Sequence, residues 1–337
     1  MFGGRLEFKR FLIFGISFLA IVMILTASGS CRGGHPAQSV VVGAPALEQN
    51  ALLYVAESQG QFEGNGLNVI IKDYDNGMAT IKALLNGEVD IAEAAEFPFI
   101  EPVLENKPIR IIAVNDRFEN DYLIGRRDRG INQLSDLKGK KIGVTKGTIL
   151  EFYLGRFLEL NGINWNDITI MDTVSSSQTS SAILNGEIDA VVAFQPYVSS
   201  IQSALGNRAL TWPVQSNQLV YGVLTANDGW LKQRGNIVER FLKSLDQAEN
   251  YMLAHPDEAR AIVQKRLNYD NAYIASIWSR HQFGLSLDPS LIVALNDEAR
   301  WMINNKLTGE KTVPDFKGYI YLDALKTIKP EAVDIIR

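Results

Sequence analysis

Short apolar runs alternate with longer stretches of helical periodicity along the body of the chain. The runs are rich in β-branched residues and predict strands at 39–43, 69–72, 91–95, 109–114, 141–144, 168–171 and 190–194. Helical patterns dominate after Trp230 and predict helices at 237–254, 258–267, 271–283 and 289–304. Strands that alternate with helices are typical of a mostly parallel sheet wrapped by helices, so the predicted fold class is α/β.

One phrase occurs twice in the body of the chain. Residues 83–90 read ALLNGEVD and residues 182–189 read AILNGEID. Each copy predicts a helix end, a glycine in the left-handed closing conformation and an acidic turn into a short strand. A proline, Pro98 or Pro196, follows each strand at a position suited to the first turn of a helix. A chance match of a common turn phrase is the alternative, but the matching flanks favour two similar α/β lobes.

A ligand between two such lobes would meet the strand-to-helix turns of both, because open parallel sheets place their binding groups there. Segments 121–127 and 219–225 are short and hydrophobic, and we expect them to leave and re-enter the first lobe. We therefore predict lobe 1 over 39–120 and 224–337, and lobe 2 over 121–223.

The N-terminus has the pattern of an export signal. Three basic residues precede an apolar run over 11–27, small residues follow, and Cys31 is the only cysteine. This pattern predicts a signal peptide over 1–30. An uncleaved anchor is the alternative, since the run reaches the lower limit for spanning a bilayer. Residues 31–38 lack periodicity and are rich in glycine and small residues, which predicts a flexible tether.

The composition narrows the function classes. The chain has 337 residues, 46% hydrophobic and 21% charged, with a formal net charge of −5, which fits a globular protein and makes a nucleic-acid partner unexpected. It contains no GxxxxGKS/T phosphate loop and no HExxH zinc motif. Only three histidines occur, and His281 is expected on a solvated helix face. We therefore expect no metal, no cofactor and no ATP-hydrolysing motor.

Two helix N-termini are marked by capping-box spacings, Thr148 with Glu151 and Ser175 with Gln178. Such ends carry partial positive charge and unpaired N–H donors. Either could therefore hold an oxyanion, and a plain helix cap is the alternative.

Acidic side chains mark the predicted first lobe. Glu93 and Glu96 could act as a carboxylate pair in acid–base catalysis, or could join Glu48 in receiving an ammonium group. Exposed surface acids are a third interpretation. Four aromatic residues near the corners are candidates for the apolar walls of a small-ligand site: Phe97, Phe152, Phe194 and Tyr197.

Several phrases are shared with one known family: LYVA at 53–56, GQFE at 60–63, GL at 66–67, both copies of the repeat, DLKGKKIGV at 136–144 and FQP at 194–196. Through them the chain from Val41 to Ile336 resembles the sulfonate, nitrate and taurine family of ABC-importer substrate-binding proteins, which is NMT1/THI5-like. The resemblance implies a two-lobed periplasmic-binding-protein fold of type II, with a small polar ligand in the cleft. It also implies delivery of that ligand to a separate permease driven by a separate ATPase.

Family sites are built at the strand-to-helix corners, so the resemblance implies where the ligand-binding residues lie. The candidates are Leu47, Glu48, Asn76, Gly77, Met78, Glu96, Phe97, Lys146, Gly147, Thr148, Ser176, Ser177, Gln195 and Pro196. Glu48 and Glu96 would face Lys146 and the two helix N-termini across the cleft, which favours a zwitterionic aminosulfonate. Cys31 resembles the lipidated cysteine of bacterial lipoproteins, with cleavage by the ordinary signal peptidase as the alternative.

These features favour an exported, membrane-tethered monomer that captures an aliphatic sulfonate or taurine-like solute and is not an enzyme. A ligand sensor that signals to a partner is one alternative, and a binding protein for nitrate or a thiamine-pyrimidine precursor is another. A hydrolase using Glu93 and Glu96 is a further alternative. Biosynthetic relatives of the fold carry a cysteine-rich motif, which a chain with one cysteine lacks.

Overall fold

The structure is a computed structural model that describes residues 37–173 and 175–336. The predicted signal peptide, Cys31 and most of the predicted tether lie outside the described residues. Gln38, the last residue of the predicted tether, already belongs to the first strand. Within the described ranges, no helix combines the length and the apolar character needed to cross a membrane.

The strands of the described residues form two sheets of five. In chain order they are β1 (Gln38–Pro45), β2 (Leu67–Tyr74), β3 (Ile91–Ala95), β4 (Ile109–Phe118), β5 (Asp121–Arg126), β6 (Lys141–Val144), β7 (Thr169–Asp172), β8 (Ala190–Phe194), β9 (Ala209–Pro213) and β10 (Val220–Asn227). The first sheet has the order β2-β1-β3-β10-β4 and the second has the order β7-β6-β8-β5-β9. Strands β10 and β5 are antiparallel to their neighbours, and the other pairings are parallel.

Helices flank both sheets. The α-helices of the described residues are α1 (Ala51–Ser58), α2 (Gln61–Gly64), α3 (Gly77–Leu85), α4 (Phe97–Leu104), α5 (Ile149–Leu160), α6 (Ser176–Asn185), α7 (Tyr197–Leu205), α8 (Asp228–Ala254), α9 (Pro256–Leu267), α10 (Asn271–Trp278), α11 (Pro289–Asn304) and α12 (Asp323–Ile328). Helices α8 and α9 pack on α1, so the C-terminal helical segment returns to the first lobe. Two mixed sheets, each flanked by helices, confirm the predicted two-lobed α/β fold.

The chain passes from the first sheet to the second at residues 119–120 and returns at residues 214–219. Strand β10 pairs with β3 and β4 from Val220 onward. Its apolar residues are therefore those of a buried central strand. The second crossover lies ahead of the predicted boundary at residue 223, because a buried strand and a hydrophobic crossing segment have the same sequence pattern.

The duplicated phrase has the same structural role in both lobes. Gly87 and Gly186 adopt φ angles of 74° and 75°, in the left-handed region that closes a helix. The aspartate that ends each phrase then binds the first strand of its own unit. Asp90 Oδ2 accepts a hydrogen bond from the backbone N–H of Val41 at 2.8 Å, and Asp189 Oδ2 accepts one from Lys141 at 2.9 Å.

An aromatic cluster joins the two lobes on one side. Trp301 of α11 lies 6.1 Å from Phe97 of the first lobe and 5.5 Å from Phe152 of the second, measured between ring centroids. Trp165 meets the same indole edge-on. The indole fits because residue 155 is glycine: a Cβ there would lie 2.2 Å from Cζ2 of Trp301. We call Phe97, Phe152, Trp165 and Trp301 the interlobe aromatic cluster.

We expect Gly155→Ala to destabilise the protein by about 1–3 kcal/mol, because the added methyl group displaces the Trp301 indole. The matched control is Gly235→Ala in α8, where the nearest atom to the added Cβ, Tyr321 Oη, is 3.4 Å away. Alanine fits there without a close contact, so stability should be unchanged or raised. Urea unfolding of both variants measures the difference, and equal stabilities would contradict the role of Gly155.

Candidate functional site

A cavity opens where strand ends of both sheets meet. Its first-lobe lining includes Pro45, Leu47, Asn76, Gly77, Ala95 and Phe118. Its second-lobe lining includes Asp121, Thr145, Thr148, Ile149, Ser176 and Phe194. Most of these residues lie in strand-to-helix corners, where parallel α/β sheets bind their ligands. The cavity is therefore the candidate functional site.

Predicted residues from both lobes line this cavity, namely Leu47, Asn76, Gly77, Thr148 and Ser176. Asn76 also fixes its own corner, because its side-chain oxygen accepts a hydrogen bond from Ala79 N–H at 3.0 Å and caps α3. The structure thus brings together corners that are far apart in sequence.

Met78, Lys146 and Gly147 lie near the cavity without lining it. Met78 packs against Gly147 across the gap between lobes, since a Cβ on Gly147 would lie 2.8 Å from Met78 Sδ. Lys146 is exposed, and its backbone N–H donates to Asp172 Oδ1 at 3.2 Å. The predicted lysine therefore adds no charge to the cavity wall.

Ser177, Gln195 and Pro196 also lie outside the lining. Ser177 is exposed, and its hydroxyl oxygen is 3.1 Å from that of Ser175. Gln195 Oε1 accepts a hydrogen bond from Ser199 Oγ at 2.7 Å, within its own lobe. Pro196 follows a cis peptide bond.

The aromatic candidates divide between the cavity and the core. Phe194 lines the cavity. The Tyr197 ring contacts the Phe194 ring edge-on, with 5.4 Å between the ring centroids. Phe97 and Phe152 stack on each other at 5.9 Å within the interlobe aromatic cluster. Those two rings therefore hold the lobes together and do not contact the cavity.

The helix N-terminus at Thr148 differs from its predicted capping box. Thr148 Oγ1 donates to the carbonyl of Thr145 at 2.6 Å, and Glu151 Oε2 accepts from the backbone N–H of Gly147 at 2.8 Å. Helix α5 consequently begins without a side-chain cap. The predicted reciprocal cap is wrong here because the hydroxyl has a closer partner in its own turn.

This uncapped end of α5 faces the cavity. Ile149 and Leu150, the first two residues of the helix, both line it. The Glu151 N–H donates to the Thr148 carbonyl at 3.1 Å, so the N–H groups of Ile149 and Leu150 are the donors left for an anion. At the other predicted N-terminus, Ser175 Oγ accepts from Gln178 N–H at 3.2 Å, which confirms a cap.

Sequence reasoning missed several lining residues, including Gln49, Asn120, Asp121 and Thr145. The sequence pattern assigns Asp121 to the segment that crosses between lobes and gives no other reason to single it out. Its position at the crossover is the signal that points to the cavity, because a crossover must pass between the two lobes.

Residues 48–259, more than half of the chain, match the family described as NMT1/THI5 like. The chain belongs to the NMT1/THI5-like family. This confirms the resemblance inferred from the shared phrases.

Solved structures show that this family member has a binding-protein fold. The alkanesulfonate-binding protein SsuA from Xanthomonas axonopodis pv. citri, bound to MOPS, superposes with a TM-score of 0.74 at 17% identity, over 86% of this chain and 99% of that chain. The periplasmic aliphatic sulphonate binding protein SsuA from Escherichia coli gives 0.70 at 17% identity, over 84% and 97%.

The chain is also similar to a protein named as an enzyme. The 4-amino-5-hydroxymethyl-2-methylpyrimidine phosphate synthase of Aspergillus parasiticus is 25% identical over 231 residues, which are 64% of this chain and 66% of that protein. Family membership alone therefore leaves the choice between binding and catalysis to the residues of the site.

In this NMT1/THI5-like chain, Glu48 belongs to a buried polar cluster behind the cavity. Glu48 Oε2 accepts from Tyr269 Oη at 3.0 Å, and His281 Nε2 lies 3.6 Å from Glu48 Oε1. On its other side, His281 Nδ1 is 2.5 Å from Asp116 Oδ2. Burial lowers the pKa of His281, but the two carboxylates outweigh it and raise that pKa to about 9.

The buried position of His281 corrects the expectation of a solvated helix face. Helix α10 ends at Trp278, so His281 lies in the segment that follows. Its ring stacks between Phe118 and Phe283, with centroid distances of 5.2 and 5.1 Å. The predicted helix over 271–283 runs past the true end at Trp278, because the apolar pattern continues into the extended segment that follows.

Glu96 is also buried away from the cavity lining. Its Oε2 accepts a hydrogen bond from the backbone N–H of Tyr221 at 3.1 Å, and it is paired with Glu298 of α11. Burial raises the pKa of Glu96 to about 8 and raises that of Glu298 well above its ordinary value. At neutral pH the folded protein therefore holds at least one proton on this pair of carboxyl groups.

We expect Glu298→Gln to reduce the loss of stability at high pH. Both folded-state pKa values lie above those of the unfolded chain, so the free energy of unfolding falls as pH rises from about 4 to 8. Glutamine donates to Glu96 without titrating. The variant should exceed the wild type by about 1 kcal/mol or more near pH 8 and lose that advantage near pH 5.

Urea unfolding at the two pH values measures this difference. Glu310→Gln, which neutralises an exposed acid, is the control and should follow the wild type. A Glu298→Gln curve that follows the wild type at both pH values would show that the pair takes up no extra proton on folding.

Proposed function

We propose that this chain is the extracytoplasmic solute-binding component of an ABC importer, which captures a small organic solute and delivers it to a permease. The observation that carries the proposal is the cavity between the lobes, lined by strand-to-helix corners of both sheets. Because each lobe supplies part of the lining, a solute stabilises only the arrangement in which both lobes contact it.

The favoured solute is an aliphatic sulfonate or a taurine-like aminosulfonate. The first turn of α5 supplies backbone N–H donors, and Thr148 and Ser176 supply hydroxyl groups, so an oxyanion has partners. Side chains such as Leu47 and Phe194 provide apolar walls for a short carbon chain. The two binding proteins of the same fold are named for alkanesulfonates and aliphatic sulphonates.

The proposal includes export, with a signal peptide over 1–30 and lipidation of Cys31. It is supported by the basic, apolar and small-residue pattern of the N-terminus. Intact-mass measurement of the protein from the membrane fraction tests lipidation. The lipidated protein carries the extra mass of a diacylglyceryl group, and the product of ordinary signal-peptidase cleavage does not.

Catalysis by the carboxylates Glu93 and Glu96 is not supported by their positions. Glu93 is fully buried and accepts hydrogen bonds from Gln49 Nε2 at 2.8 Å and Asn50 Nδ2 at 3.0 Å. Neither Glu93 nor Glu96 is among the lining residues of the cavity. A general acid or base must reach the reacting group, so the site favours binding.

We expect Ser176→Phe to abolish solute binding, because the ring would fill the cavity from its second-lobe side. The matched control is Ser177→Phe, which places the same ring on the exposed neighbour outside the lining. A ligand at about 100 times its Kd stabilises the folded state by about 2.7 kcal/mol. Thermal unfolding with taurine, ethanesulfonate, MOPS and nitrate measures this gain.

The wild type and Ser177→Phe should be stabilised by at least one sulfonate, and Ser176→Phe by none. Equal loss in both variants would contradict the assignment of the cavity. A wild type stabilised by no sulfonate would contradict the proposed solute class.

A further inference from the structure

A buried histidine supports two parts of the cavity lining from behind. The His281 side chain is fully buried, and it contacts both Glu48 and Phe118. Phe118 itself lines the cavity, and Glu48 is flanked in sequence by the lining residues Leu47 and Gln49. His281 is therefore one contact away from the solute site along two separate routes.

Pairing with β4 places the imidazole ring in this position. After α10 the chain runs antiparallel to β4, with a bridge between His281 and Phe118. The Gln282 N–H donates to the carbonyl of Arg117 at 2.8 Å, which holds this extended segment on the strand. Phe283 covers the other face of the imidazole, with only 6° between the two ring planes. The two aromatic neighbours thus fix the plane of the ring, and its nitrogens lie at the free edges.

Each nitrogen of His281 faces one carboxyl group. Nδ1 is 2.5 Å from Asp116 Oδ2. Nε2 makes no hydrogen bond within the described residues and lies 3.6 Å from Glu48 Oε1, at the distance of an ion pair. Asp116 and Glu48 are both buried. Two buried carboxyl groups around one ring require a positive charge between them, because a neutral imidazole donates through only one of its nitrogens.

The other partners of Glu48 are neutral. Its carboxylate accepts from Tyr269 Oη at 3.0 Å and from Tyr273 Oη at 3.4 Å. Burial and the charge of Glu48 raise the pKa of both tyrosines above the ordinary value, so both remain uncharged donors. Among the described residues, His281 is the one basic side chain in ion-pair contact with Glu48.

We propose that protonated His281 is a positioning residue for the solute cavity. Its charge holds Glu48 behind the wall, so that Leu47 and Gln49 keep their places in the lining, and its ring supports Phe118. The proposal rests on the proposed solute-binding function and adds a residue that controls affinity without touching the solute.

This role predicts a loss of affinity at high pH. Burial lowers the pKa of His281, but Asp116 and Glu48 raise it to about 9. Affinity should therefore be retained below that pH and fall as the imidazolium loses its proton above it. Burial raises the pKa of Asp116 to about 6 and that of Glu93, which is bonded to Gln49, to about 7. A window from about pH 8 to about pH 10 consequently separates His281 from both of these acids.

Calorimetry with ethanesulfonate, which does not titrate in this window, tests the proposal on the full chain. The wild type should bind about three- to tenfold more weakly at about pH 10 than at about pH 8, a range typical of residues that act on a site through others. His281→Gln should bind weakly at both pH values, with no such change between them. The control is His255→Gln, which removes an exposed histidine outside the lining and should follow the wild type.

Nitrogen NMR of the histidine-labelled chain supplies a readout without ligand. At about pH 8 both nitrogens of His281 should carry protons, and Glu48→Gln should lower the pH at which one is lost, because one of the two carboxylates is gone. Glu48→Gln should also weaken ethanesulfonate binding at that pH. It therefore serves as the second variant if His281→Gln does not fold.

A neutral His281 at about pH 8 would overturn the proposal and leave the solute-binding function standing. A pH dependence that persists in His281→Gln, or a wild-type affinity that stays constant across the window, would do the same. Absence of binding by ethanesulfonate, taurine and MOPS alike would overturn both.

Discussion

A pair of hydrogen bonds between an aspartate and a neighbouring strand occurs in each lobe, and it fixes the strand arrangement on which the rest of the molecule depends. Asp90 accepts a hydrogen bond from Val41 N–H, and its own N–H donates to the Val41 carbonyl. Asp189 makes the same pair of bonds with Lys141 in the second lobe. These contacts set β3 beside β1 and β8 beside β6 in the same parallel register. The carboxyl ends of the paired strands therefore meet at one edge, and those edges form the cavity.

The same contact explains why much of the fold is predictable from the sequence. Strands Ile91–Ala95, Lys141–Val144 and Ala190–Phe194 have the predicted bounds, because a central strand is apolar on both faces and is bracketed by turn residues. The corners follow from chain order alone. The sequence does not predict the direction in which each corner side chain points. Glu48 lies between Leu47 and Gln49, which both line the cavity, yet its carboxylate contacts Tyr269 and His281 from a distant segment.

Long-range contacts also decide the electrostatics of the site. The carboxyl groups of Glu48 and Glu96 each accept a hydrogen bond from a residue more than 100 positions away. Asp121 Oδ2 is buried without a hydrogen-bond partner in the described chain, and the Asp121 N–H donates to Gln215 of the second crossover. A pattern of local motifs cannot distinguish these cases, since all three are single acids beside apolar runs. Burial without a donor is a property of the folded state alone.

Two of the contacts between the lobes differ in how much apolar surface they bury. Phe97 and Phe152 of the interlobe aromatic cluster are 1% and 0% exposed, whereas Met78, which packs on Gly147 across the gap, is 39% exposed. Fully buried rings contribute more apolar burial than a half-exposed methionine. Of these two contacts, the one at Met78 therefore costs less to break. The Gln215 bonds tie the two crossovers together, and Asp121 lies beside them in the cavity lining.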